Sequence, residues 1–370
     1  MSGSREHTTR RRARFHELEV SAIRSLTAES IEVTFAVPPG LHGEYDYLPG
    51  QYVALRAHVD GHEVRRSYSI CRPPTPGSIS VGIKRDLGGL FSVWAHENLA
   101  VGDRIEVMSP EGTFTSNLPD LDGAHLAGIA AGSGVTPMMA VAASVLAASE
   151  TARFTLIYTN RATQDVMFLE DLADLKDRYP ARLALHHVLS REQRAAPLLS
   201  GRIDAEKLDA ILDRLVPPAT VTEWFLCGPF ELVTLCRERL EAHGVAARDI
   251  RFELFTTDAS TPRVDRGRAL SVRPGDETYT VEFTLDGMSS RVESPVAANE
   301  AILDAALRVR GDVPFACAGG VCGTCRARVV EGAVRMTQNF ALEPDELERG
   351  YVLTCQSHPT TERVVVDYDV

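Results

Sequence analysis

A multidomain chain is predicted: an antiparallel β-barrel, then an α/β domain with a parallel sheet, then an α+β module. Three observations predict it. Short alternating runs of polar and apolar residues, broken by Gly and Pro, occupy roughly the first hundred residues. Strand and helix patterns then alternate from Leu126 onward. Three cysteines, Cys317, Cys322 and Cys325, fall within nine residues in the last part of the chain. At 370 residues the chain is too long for one core. Its 39 Lys and Arg against 51 Asp and Glu give a net charge of −12, with 44% hydrophobic residues. That balance argues against a disordered chain, a collagen and a basic nucleic-acid binder.

In the first domain, Tyr52 to Ala57 and Ser78 to Ile83 read as strands of a small barrel. Arg10, Arg11, Arg12 and Arg14 precede Phe15 to Glu19, which has no apolar run, so this start reads as a basic tail rather than an export signal. Leu126 to Ser149 is uncharged over twenty-four residues. Gly128, Gly132, Gly134 and Pro137 divide it into a strand, a tight turn and a helix, so a buried α/β unit is expected rather than a membrane span. A cytoplasmic location is expected with it.

The second domain continues with a helix after Thr136, a strand at Phe154 to Tyr158 and a helix through Phe168 to Leu175. Strands at Leu183 to Leu189 and Trp224 to Cys227 follow, then a helix after Pro229. Polar residues with little apolar periodicity mark a linker over 256–277. In the third domain, Thr278 to Leu285 and Ser290 to Val292 form a hairpin around Asp286 and Gly287, and Asn299 to Leu307 a helix. The expected divisions are therefore 14–119, 120–255, the linker 256–277, and 278–370.

Cys317, Cys322 and Cys325 are spaced Cys-x4-Cys-x2-Cys, and Cys355 follows after a further twenty-nine residues. This is the spacing of a plant-type [2Fe–2S] site, which needs four thiolates on two irons. Gly319, Gly320 and Gly323 between the ligands let the backbone approach an inorganic core. A structural zinc site is the alternative, although zinc more often takes two close ligand pairs. Cys71 and Cys236 read as small buried hydrophobes.

Arg66, Ser67, Tyr68 and Ser69 follow a strand whose turn is at Gly61. They supply a guanidinium for a pyrophosphate, a ring to stack on a flavin and hydroxyls for its edge, or else they form an ordinary edge strand. Gly88, Gly89, Leu90, Phe91 and Ser92 favour the first reading, because a helix start with glycines and a hydroxyl can cradle phosphate oxygens. Gly132, Ser133, Gly134, Val135, Thr136 and Pro137 lie between a strand and a helix but depart from Gly-x-Gly-x-x-Gly, so the phosphate-cradling logic applies without the usual dinucleotide fingerprint. Cys227, Gly228 and Pro229 end the last strand, where bulk would block close approach. Ser190 and Arg191 end another, either beside a 2′-phosphate or as a surface turn. His186 and His187 alternate across a strand and need no role.

In this order the motifs resemble the ferredoxin-NADP reductase superfamily with a C-terminal ferredoxin module, over nearly everything after residue 14. The resemblance implies a β-grasp fold for the third domain, FAD rather than FMN, and NADPH as the usual donor, with NADH possible. It implies that Arg66, Ser67, Tyr68, Ser69, Gly89, Phe91 and Ser92 hold FAD, with Phe255 and Glu253 closing the flavin face. Thr136 would lie near both rings, Cys227 near the hydride path, and Ser190 and Arg191 around the 2′-phosphate; Thr136, Cys227 and Glu253 are thus the catalytic candidates. Gly132, Gly134, Gly228 and Pro229 complete the nicotinamide site, and Cys317, Cys322, Cys325 and Cys355 are the metal ligands. Ala318 departs from relatives that often carry a basic or polar residue beside the first ligand.

The stretch Asn339 to Leu347, with Gly350 to Cys355, is most like reductases that serve a di-iron monooxygenase of aerobic phenylacetate breakdown. The resemblance thus implies electron transfer from NADPH through FAD and the cluster to that partner, with no nucleic acid or membrane involved. A reductase for another aromatic oxygenase, or a metal-binding scaffold without turnover, are the alternatives. Residues 278–370 hold 8 Arg and no Lys against 14 Asp and Glu, and Glu343, Asp345, Glu346 and Glu348 form an acidic patch suited either to steering a partner or to solvation alone.

Overall fold

Alternation of buried and exposed positions builds the first sheet from β1 (Phe15–Thr27), β2 (Ser30–Ala36), β3 (Tyr52–Val59), β4 (His62–Ser69), β5 (Ser78–Lys84) and β6 (Arg104–Met108). The order is β4-β3-β6-β1-β2-β5, with antiparallel pairing throughout. An isolated bridge from Ile70 to Val81 links the two edges and closes the barrel. Leu18, Val33, Phe35, Leu55, Val81 and Val107 are fully buried inside it. Helix α1 (Leu90–Asn98) adds Phe91 and Ala95 to that core. Arg66 to Ser69 lie within β4 rather than after a strand, so their side chains alternate between its two faces.

This computed structural model describes residues 14–370 except 60, 87, 117, 119, 256–269, 271–274, 312, 316, 317 and 343. Arg10 to Arg12, most of the expected linker, Cys317 and Glu343 therefore lie outside the described residues.

The second sheet is parallel: β7 (His125–Ala131), β8 (Arg153–Asn160), β9 (Leu183–Leu189), β10 (Glu223–Gly228) and β11 (Ile250–Leu254), ordered β11-β10-β7-β8-β9. Helices α2 (Val135–Ala148), α3 (Leu169–Arg178), α4 (Ala205–Arg214) and α5 (Phe230–Ala242) connect the strands. The uncharged run is β7 followed by α2, two buried elements, and among the described residues no helix is long and apolar enough to cross a membrane. Phe168 is not helical: it sits at φ 58° and precedes α3.

The third sheet, β13-β12-β18-β14-β16, uses β12 (Thr278–Leu285), β13 (Met288–Pro295), β14 (Arg326–Glu331), β16 (Tyr351–Leu353) and β18 (Arg363–Asp367). Only the β12–β18 pairing in it is parallel. The hairpin turn falls at Asp286 and Gly287, at φ 56° and 66°, but its second strand is longer than the expected Ser290 to Val292. Helix α6 is confined to Ile302–Leu307, shorter than expected, because Asn299 at φ 45° ends a preceding 3-10 turn. It packs Ile302, Leu303, Ala305 and Ala306 onto Val281, Phe283, Val364 and Val366. A two-stranded ribbon, β15 (Val334–Met336) with β17 (Ser357–Pro359), and a short helix, α7 (Pro344–Glu348), complete the domain.

Candidate functional site

Strand order reverses at β7, with β8 and β9 on one side and β10 and β11 on the other, so the carboxyl ends of β7 and β10 flank the point where open α/β sheets bind ligands. Gly132–Ser133–Gly134 leaves β7 there and Cys227–Gly228–Pro229 leaves β10. The two loops touch: a Cβ on Gly134 would stand 2.2 Å from the Cys227 carbonyl oxygen. Thr136 is almost fully buried and its hydroxyl donates to the Ser133 carbonyl at 2.8 Å, so it closes the turn. Its methyl faces the barrel, where a Cβ on Gly82 would approach Thr136 Cγ2 to 2.6 Å.

Cys227 pairs in register with Glu253 on β11. Across the seam, the Ser69 hydroxyl donates to Glu253 Oε2 at 2.8 Å. Burial pushes the Glu253 carboxyl up to about 7, the Ser69 hydrogen bond opposes this, and the neighbouring Cys322 adds to it. Burial likewise holds the Cys227 thiol well above its ordinary range. The structure thus brings Ser69, Cys227 and Glu253 together, and Phe255 packs on the core beneath them. A second seam contact ties Arg24 and Arg72 of the barrel domain to Asp171 of α3 at 2.8 and 2.7 Å.

Tyr68 lies against Phe91, ring centroids 5.6 Å apart, and Phe91 is in the first turn of α1. Gly88 has φ 92° and nothing would meet a Cβ there within 4 Å, so the backbone before Gly89 and α1 is open to a phosphate. The Ser92 hydroxyl accepts from the Asp86 N–H at 3.1 Å, fixing the loop. Arg66 donates to the Arg65 carbonyl at 2.7 Å. Among the described residues the buried Ser67 hydroxyl has no hydrogen-bond partner. Ser190 and Arg191 stand apart from this group at the sheet edge, where their N–H groups donate to the carbonyls of Asn160 and Arg161 at 2.9 and 2.7 Å. His186 and His187 each leave one ring nitrogen buried and unpartnered, and burial lowers both pKa values. Lys84 escapes sequence reasoning because it ends a barrel strand, yet its Nζ lies 3.3 Å from where a Gly132 Cβ would stand. Burial, with Arg161 nearby, lowers its pKa.

In the third domain Cys325 and Cys355 are buried and Cys322 half-buried, and none of the three is in a disulfide. Thr354 donates to the Cys325 carbonyl through both its N–H and its hydroxyl, at 3.2 and 2.9 Å, which holds the Cys355 segment beside the loop. Ala318, Gly320 and Gly323 are all left-handed, at φ 53°, 79° and 71°, and Gln356 Nε2 donates to the Ala318 carbonyl at 3.0 Å. Among the described residues no three His, Cys, Asp or Glu side chains converge as ligands of one ion. A two-iron cluster asks for thiolates, and the described cysteines, with left-handed backbone at Ala318, Gly320 and Gly323 near them in sequence, suit that donor chemistry. The acidic patch is partly neutralised: Glu346 pairs with Arg326, and Asp345 with Arg349 at 2.6 Å.

The cysteine loop is packed against the other two domains. The Arg65 guanidinium lies between Phe15 and Phe315, 5.3 and 4.3 Å from their ring centroids, and donates to the Gly311 carbonyl at 3.1 Å. Phe340 meets Phe230 of α5 edge-on, centroids 5.5 Å apart. Val321 and Phe340 pack on the core beneath β10 and α5.

Residues 17–116 match the oxidoreductase FAD-binding domain family, 129–265 the oxidoreductase NAD-binding domain family, and 283–360 the 2Fe-2S iron-sulfur cluster binding domain family. The chain is 44% identical over 356 residues to one of the subunits of 1,2-phenylacetyl-CoA epoxidase from Escherichia coli (strain K12), covering 96% of this chain and 98% of that one. It is 32% identical to the ferredoxin reductase component of 3-ketosteroid-9-alpha-monooxygenase from Rhodococcus rhodochrous, over 95% and 96% of the two chains. The solved structure of phthalate dioxygenase reductase shares the fold with a TM-score of 0.59 at 22% identity, over 95% of this chain and 98% of that one.

Fold and site together define an NAD(P)H-dependent oxidoreductase that uses FAD and carries its own [2Fe–2S] module. The electron path runs from NAD(P)H through FAD to the cluster. More particularly, the chain belongs to the reductase components of oxygenase systems, the family that includes its phenylacetyl-CoA epoxidase relative.

Proposed function

We propose that this reductase draws electrons from NADPH and delivers them to a di-iron oxygenase, phenylacetyl-CoA epoxidase, in aerobic phenylacetate degradation. The observation that carries this reading is the 44% identity to the Escherichia coli epoxidase chain along almost the whole of both sequences. Its cytoplasmic location and the divisions 14–119, 120–255, 256–277 and 278–370 belong to the same reading.

Bound FAD supplies a two-electron to one-electron conversion, and the cluster supplies single-electron carriage. The protein contributes positioning and exclusion of water. Arg66, Ser67, Tyr68, Ser69, Gly89, Phe91 and Ser92 hold FAD, with Phe255 at its face. Gly132, Gly134, Thr136, Cys227, Gly228 and Pro229 form the nicotinamide cradle, with Ser190 and Arg191 at the sheet edge for the 2′-phosphate. Cys317, Cys322, Cys325 and Cys355 ligate the cluster. Burial pushes the Glu253 carboxyl up to about 7, so part of the population keeps its proton at neutral pH while it accepts from the Ser69 hydroxyl.

Anaerobic titration of the loaded protein with NADPH, followed by the epoxidase oxygenase component, tests the reading. Flavin and cluster bands bleach, then recover as the oxygenase turns over. Recovery only with a ring-hydroxylating oxygenase would reassign the partner, and a colourless zinc protein would leave the scaffold. Arg191→Ala narrows the preference for NADPH over NADH by about tenfold or more; unchanged selectivity in steady-state turnover removes Arg191 from the site.

A further inference from the structure

The face of β4 that carries Arg65, Ser67 and Ser69 is paired with the face of β3 that carries Tyr52, Ala54 and Arg56. Tyr52 stands directly opposite Ser69, the residue bonded to Glu253. Only 3% of Tyr52 is exposed, and its ring is pinned by Gly112, where a Cβ would approach Tyr52 Cδ1 to 2.9 Å. The Tyr52 hydroxyl lies 2.9 Å from the Cys322 carbonyl oxygen and 2.5 Å from Thr324 Oγ1. A carbonyl only accepts, so Tyr52 donates to Cys322 and Thr324 donates to Tyr52. One rigid phenol therefore runs from the strand beside the Ser69–Glu253 pair to the backbone of a cluster-ligand residue.

We propose that Tyr52 is a positioning residue that fixes the Cys322–Cys325 segment on the barrel and so sets how fast electrons pass between the two cofactors. Each such passage oxidises the reduced flavin by one electron and reduces the cluster by one. Tyr52 keeps its proton throughout and exchanges no atom. Its part is geometric, because electron passage between two sites depends on holding them at a fixed separation. The inference rests on the reductase reading, and the two are separable: NADPH bleaching of the flavin band tests that reading, while the later cluster phase tests Tyr52.

Full-length Tyr52→Phe, loaded with FAD and cluster and matched to the parent in iron and sulfide, is mixed anaerobically with NADPH and followed at flavin and cluster bands. The flavin phase keeps the parent rate and the cluster phase slows about tenfold. In hydrogen–deuterium exchange, amides of residues 320–325 exchange faster than in the parent. Thr324→Val removes the other half of the contact together with the 3.2 Å approach of the Thr324 hydroxyl to Cys322 Sγ and slows the cluster phase at least as much, Thr324→Ser restores it, and the double variant Tyr52→Phe with Thr324→Val is no slower than Thr324→Val alone. A cluster phase at the parent rate in Tyr52→Phe, both phases slowed together, losses that multiply in the double variant, or unchanged exchange over 320–325 overturns the proposal.

Discussion

Among single residues, Glu253 has the property most open to test. An unfolded glutamate titrates near 4.5, whereas burial pushes the folded carboxyl up to about 7. The folded chain thus holds this proton more tightly than the unfolded one. The stability linked to it is fully present below about 4.5 and is lost as pH rises through about 7. An ionised carboxylate at the seam also repels the negative charge that reduction brings to the site. NADPH-dependent ferricyanide reduction, which needs no partner, is therefore expected to decline as pH rises through about 7. Glu253→Gln, neutral at every pH, flattens that profile and removes the matching slope in unfolding free energy. A parent profile that Glu253→Gln leaves unaltered assigns the titration to another group.

At the level of elements, the proposed nicotinamide cradle rests on two strand ends meeting. The β7 and β10 loops cross so closely that Gly134 has no room for a side chain, since the obstructing atom is the Cys227 backbone oxygen rather than a movable side chain. Gly134→Ala is expected to destabilise the chain by about 2 kcal/mol and to raise the KM for NADPH. Gly40→Ala, where nothing lies within 4 Å of the new methyl, leaves both within error in denaturant unfolding and steady-state assays. This crossing is partly legible in sequence: glycines at the ends of apolar strands mark the loops, but nothing local says that the loops touch. Strand β9 is legible to the residue, Leu183–Leu189, because its apolar run is bounded by turn residues. Strand-by-strand patterning passes over α4, although Asp204 caps it by accepting from the Lys207 N–H at 2.9 Å. Asn299 misleads, since a residue that resembles a helix cap instead takes the left-handed conformation that ends a 3-10 turn. The cysteine spacing points to the proposed cluster ligands without help from the fold, whereas Tyr52 and Lys84 sit in barrel strands far away in sequence and acquire their neighbours only when the domains pack.

Across the whole molecule, charge is distributed unevenly. The third domain accounts for half of the net −12 in a quarter of the length. Its acidic patch is not a free cluster, because Arg326 and Arg349 lie among Glu346 and Asp345 and cancel part of their field at short range. If the partner presents a basic surface, its attraction comes from the summed charge of the domain, which acts beyond the reach of any one ion pair. Two consequences can be measured by rapid mixing of the reduced reductase with its oxygenase. Raising ionic strength from about 0.01 M to about 0.5 M shortens the screening length from about 30 Å to below about 5 Å and should slow association by about tenfold or more. Glu348→Gln alone changes the association rate less than about twofold, because it removes one charge among many, while several such neutralisations spread over the domain reproduce the effect of salt. An association rate indifferent to salt means that docking is guided by apolar contact, and would move the search for the partner surface to exposed apolar side chains such as Met288 and Val330, 57% and 58% exposed.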